Sequence, residues 1–105
     1  MKPTLDKISE ILDELDKRCS APRVPPHADL SDSIALFREM IAVASEMMTR
    51  MKQYEIDDPE GVRLALVSIT RTLKVFTWGI QALRGVYDDG VYDLIEKIRE
   101  IEASL

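Results

Sequence analysis

The chain has 105 residues, 46% of them hydrophobic and 31% charged, and a formal net charge of −5. That is the size and balance of one globular domain with a single modest core, and its acidity argues against a phosphate backbone or an anionic membrane as the main partner. A single cysteine permits no intramolecular disulfide, and no run of about 18 apolar residues is present to cross a membrane, so a soluble, cytoplasmic protein is expected.

From residue 4 to 20, Leu5, Ile8, Leu12, Leu15 and Cys19 recur at three-four spacing among acids and bases, which predicts an amphipathic first helix with a narrow apolar stripe. Cys19 lies on that stripe and reads as a small buried thiol rather than a nucleophile. The stretch Ala21–Ala28 contains Pro22, Pro25 and Pro26, so it predicts an extended connection, reaching to residue 29, within one domain that spans residues 1–105. His27, the only histidine, sits in this connection, where nothing in the sequence supports it as a ligand or base.

The second helix is expected over residues 30–54, capped by Asp29 or Ser31. Ile34, Phe37, Met40, Ile41, Ala44 and Met48 belong to an apolar arc that also takes in Met47, Met51 and Tyr54, with Val43 at its margin. The arc covers about half the helical wheel, enough to meet two neighbours. Methionine at this spacing reads as core filling before it reads as a peptide groove. A short gap then leads to Asp57-Asp58-Pro59-Glu60, where Asp58 is an N-cap, Pro59 suits the first helical position and Glu60 favours the positive end of the helix dipole. The second and third helices therefore form an antiparallel hairpin.

The third helix, Asp58 to Tyr87, has two opposite apolar faces. Val62, Leu66, Ile69, Leu73 and Phe76 continue along one of them; Leu64, Val67, Val75 and Trp78 occupy the other, with Arg71 beside them. A helix apolar on two sides must be covered on two sides, either by the first helix of the same chain or by another protein. Residues 67–75 also alternate with period two and are rich in β-branched side chains, as a half-buried strand would be, but the unbroken helical spacing favours a helix. A third row of small residues (Ala65, Thr72 and Gly79, with Ser68 alongside) suits close approach of another helix. Arg63, Thr70, Lys74, Thr77, Gln81 and Arg84 are left as a strip for water.

Gly85 to Gly90 reads as a turn into a fourth helix over residues 91–104, which sets Val91, Leu94, Ile95, Ile98 and Ile101 on one face. The third helix is basic and the fourth acidic, which predicts that they lie antiparallel with complementary charges. The overall expectation is an all-α antiparallel four-helix bundle with a long central helical hairpin and shorter flanking helices.

No glycine-rich phosphate loop, nucleophile elbow, zinc spacing or EF-hand loop occurs. The leading expectation is a non-enzymatic interaction protein, an adaptor, chaperone or regulatory subunit, that forms a homodimer or binds a protein partner through Leu64, Val67, Arg71, Val75 and Trp78, and needs no cofactor. A second reading, a metal-dependent phosphohydrolase-like bundle, would use Asp93, Glu96 and Glu100, although such sites draw inward-facing acids from several helices. A third would lay a nucleic acid on Arg63, Lys74 and Arg84, against the acidic balance.

Overall fold

A computed structural model describes residues 1–20, 28–79 and 89–105, with side chains placed at 1–20, 32–75 and 90–105. The described residues form four helices: α1 (Lys2–Cys19), α2 (Ala28–Gln53), α3 (Pro59–Gly79) and α4 (Asp89–Ser104). The proline connection with His27, the turn at Gly85–Asp88 and the continuation of the third helix from residue 80 to Tyr87 lie outside the described residues.

Each helix starts or stops for a local reason. Pro3 stands in the first turn of α1, where a missing N–H breaks no hydrogen bond, and Lys17 and Arg18 stand in its last turn, at the negative end of the dipole. Helix α2 begins at Ala28, so Asp29 and Ser31 fall inside its first turn rather than before it as a cap. At the start of α3 the backbone N–H of Glu60 donates to Asp58 Oδ1 (3.2 Å), which makes Asp58 the cap that its sequence predicts.

The end of α2 is a Schellman motif. The Ile56 N–H donates to the Met51 carbonyl (3.0 Å) and the Glu55 N–H to the Lys52 carbonyl (3.1 Å). Glu55 carries the left-handed backbone that this motif demands, with φ 53°. Glycine adopts that conformation without a Cβ clash. Glu55→Gly is therefore expected to raise stability by about 0.5–1 kcal/mol, after allowance for the added freedom of the unfolded chain. Thermal unfolding followed by circular dichroism should show the midpoint rise by roughly 3–6 °C.

Ion pairs give the helix directions. Lys52 Nζ lies 3.2 Å from Asp6 Oδ1, and Arg38 Nε lies 3.2 Å from Asp16 Oδ1, so the start of α1 sits beside the end of α2. Lys74 Nζ lies 3.4 Å from Glu96 Oε2, and Thr70 Oγ1 lies 3.2 Å from Glu102 Oε2, so α3 and α4 also run in opposite directions. Helix α1 packs between α2 and α4, and α3 packs on α4. The α2–α3 pair touches most sparsely, and no close backbone approach links the diagonals α1/α3 or α2/α4 among the described residues.

One hydrophobic cluster fills the centre and draws on all four helices: Leu12 from α1, Phe37 from α2, Leu66 from α3 and Ile98 from α4 are each fully buried. Residues 67–75 are helical, because burying Leu66, Ile69 and Leu73 along one line requires the helical period. Thr70 is a correction to the wet strip. It is buried, with its hydroxyl 2.9 Å from the Leu66 carbonyl oxygen and within reach of Glu102, because the acidic edge of α4 covers that side of α3.

Candidate functional site

Helix α3 turns its four sides to four different surroundings. Val62, Leu66, Ile69 and Leu73 enter the core, whereas Arg63, Thr70 and Lys74 face α4. Glu96 receives Lys74 and Arg99 together, and its carboxyl is held below its ordinary value of 4.5, first by the hydrogen bond from Arg99 and then, against some burial, by Lys74. The complementary charge expected of the third and fourth helices is thus built into their contact.

The opposite side of α3 is open. Leu64 is 56% exposed and Val75 69% exposed, Arg71 is exposed, and Val67 is half-buried. Trp78 belongs to the same helix, and its side chain lies outside the described ones. Helix α1 does not cover this face, because it lies between α2 and α4 on the far side of the core. Leu64, Val67 and Arg71 line an open depression together with Arg99 and Glu102 of α4, and Val75 stands exposed further along α3.

The fourth side of α3 carries the small residues and borders a groove. Ser68 and Thr72 form one wall; Leu36, Met40, Val43 and Met47 of α2 form the other; Ala44, Ile69 and Leu73 lie at its floor. Its volume is about 280 Å³. The groove exists because two small side chains stand where larger ones would fill the space between α2 and α3. The Thr72 hydroxyl donates to the Ser68 carbonyl (2.8 Å), so it is satisfied within its own helix and demands nothing of an occupant.

The α2 wall corrects the reading of the methionines. Met48 and Met51 are core residues as expected, but Met47 is 37% exposed and Met40 is only partly buried. Leu36 (46% exposed) and Val43 (62% exposed) stand with them. Tyr54 is exposed too, since it follows the last residue of α2 and no neighbouring helix reaches it. Sequence reading places Val43 at the margin of the core arc and leaves Leu36 out. The missed signal is a second stripe, at positions 36, 40, 43 and 47, with the four-three-four spacing of a helix seam.

Among the described residues, no three histidine, cysteine or acidic side chains are grouped to hold a metal ion. Asp93 and Glu100 are exposed on α4, and Glu96 is engaged by Lys74 and Arg99, so the three do not converge.

Fold and surface together define an all-α four-helix bundle in which, among the described residues, apolar side chains of α2 and α3 are left exposed. The chain matches no known protein family, no curated protein and no solved structure.

Proposed function

We propose that the protein is a non-enzymatic helical interaction module, an adaptor, chaperone or regulatory subunit, which works by docking a helical partner on its open α2–α3 side. The observation that carries this reading is the apolar groove at the most sparsely packed seam of the bundle, with Leu36, Val43 and Met47 of α2 exposed along it. A surface of this kind is costly in a protein that works alone, because it invites association. It is apolar and floored by core residues, which suits the apolar face of an amphipathic helix. The partner in this reading is a second copy of the chain, giving a homodimer.

Val43→Glu tests the surface without disturbing the core, since Val43 points largely to solvent and glutamate is a good helix former. In native extract of the cells that make the protein, gel filtration should show the wild-type chain in a species larger than its own 11.9 kDa. The variant should shift toward the mass of the single chain while the purified variant keeps its helical circular dichroism. Wild-type protein that runs at 11.9 kDa in that extract would overturn the reading.

A further inference from the structure

Helices α3 and α4 leave an open depression of about 510 Å³ between them, which shares no side chain with the α2–α3 groove. Cationic side chains line it, Arg63, Arg71 and Lys74 from α3 and Arg99 from α4, against a single carboxylate, Glu102. Glu60 holds Arg63 and Glu96 holds Arg99, in each case through Nε and Nη2. With those two carboxylates added the patch keeps a positive balance, on a chain whose formal net charge is −5. Arg71 has no such holder: it is exposed and forms no ion pair among the described residues.

Arg71 stands in an apolar row. Leu64, Val67, Arg71 and Val75 follow one another on α3 at intervals of three, four and four, which sets them along one side of the helix. A partner that covers Leu64 and Val67 takes Arg71 out of water with them, because all three line the same depression. An apolar group set against Arg71 would leave a desolvated guanidinium unpaired, at a cost that offsets the apolar gain. A carboxylate there gives it a charge-assisted, two-pronged hydrogen bond. Arg63 and Arg99 add to the preference for an acid. Their own carboxylates occupy one edge of each guanidinium, which fixes its position and leaves its Nη1 end for a second acceptor.

We infer that this depression docks an acidic segment of another protein, one that carries aspartate or glutamate beside large apolar side chains, with Arg71 selecting for the acid. The surface is distinct from the α2–α3 groove, and its occupant from the homodimer proposed there. Two details favour a protein segment over a nucleic acid. Among the described residues no aromatic ring lines the depression to stack a base, and Glu60, Glu96 and Glu102 stand among the cations, where they would repel a phosphate backbone. A free inorganic anion would use the cations and leave Leu64 and Val67 in water. Burial of those two side chains supplies affinity, whereas the charges choose the partner and its placement.

Selection of displayed random peptides, each about twelve residues long, on the purified protein tests this without choosing the sequence beforehand. The enriched peptides should carry aspartate or glutamate next to leucine, isoleucine or phenylalanine. A fluorescein-labelled member of that set, sedimented with the protein at high concentration, should bind Arg71→Glu at least about tenfold more weakly than the wild type. Salt at about 0.5 M should weaken wild-type binding at least about threefold. Val43→Glu should bind the peptide as the wild type does, since Val43 lines the other opening. Both variants should keep their helical circular dichroism, because both side chains are exposed. Enriched peptides that are basic or uncharged, or that Arg71→Glu binds equally well, overturn the inference. Retention of a single-stranded oligonucleotide or of phosphate, with no acidic peptide enriched, overturns it too. So does a wild type that selects no peptide but whose own mass falls on Arg71→Glu, because a second copy then covers the depression. Binding that Val43→Glu abolishes and Arg71→Glu spares places the peptide in the groove, which overturns this inference and leaves the docking proposed there standing.

Discussion

Phe37→Ala is expected to cost about 3–5 kcal/mol of folding stability, among the largest losses available to a single truncation in this bundle. Phe37 is the largest of the fully buried side chains among the described residues and sits on the inner face of α2 between Ile34 and Ile41. Its removal forfeits the transfer free energy of the ring and leaves a cavity that helices held by packing on both sides can only partly close. A domain of this size has on the order of 5–15 kcal/mol of net stability, so the variant would lose about a fifth of it or more. Urea unfolding followed by circular dichroism should show the midpoint fall with little change in slope, and the thermal midpoint should fall by roughly 12 °C or more. The neighbouring substitution Leu36→Ala provides the contrast, because Leu36 faces the groove. A Phe37→Ala loss no larger than that of Leu36→Ala would show that the inner face of α2 is wrongly assigned.

The sequence makes the inner faces legible and leaves the helix neighbours obscure. Leu5, Ile8, Leu12 and Leu15 form one buried line, as do Val62, Leu66, Ile69 and Leu73, because a core face must follow the helical period. Asp58 is legible for the same local reason: its cap involves only residues close to it in sequence. Thr70 is different. A helical wheel shows that its side of α3 is polar, but not that the acidic edge of α4 lies against that side, so a buried residue reads as a wet one.

The open face shows the same limit from the other direction. Two apolar faces on the third helix require two covers, and periodicity does not say whether α1 is one of them. The directions and order of the helices decide that, and they place α1 between α2 and α4. Leu36 is hidden because its stripe runs beside the broad core arc of α2 and merges with it through Met40 and Met47. Glu55 is hidden because a left-handed helix end is usually announced by glycine or asparagine, and here a glutamate takes the conformation.

Leu66→Ala and Leu64→Ala, two residues apart on α3, should separate folding from association. Leu66 is fully buried, in one cluster with Leu12, Phe37 and Ile98, so its truncation should cost about 2–5 kcal/mol through lost burial and a residual cavity. Leu64 projects from the opposite side of the helix with 56% of its surface exposed, and alanine is the better helix former. Its truncation should therefore change the stability of the single chain by no more than about 0.5 kcal/mol. At a docking surface the order is reversed. Leu64 loses apolar contact with whatever covers it, and association should weaken by about 1–2 kcal/mol, or roughly five- to thirtyfold. Denaturation must be measured at protein concentrations low enough for the single chain to dominate, since binding that favours the folded state would otherwise raise the apparent stability. Sedimentation at high concentration then reads the second effect for Leu64→Ala. If both variants lose folding stability equally, both faces of α3 are buried within one chain; if Leu64→Ala changes neither quantity, the outer face of α3 takes no part in docking.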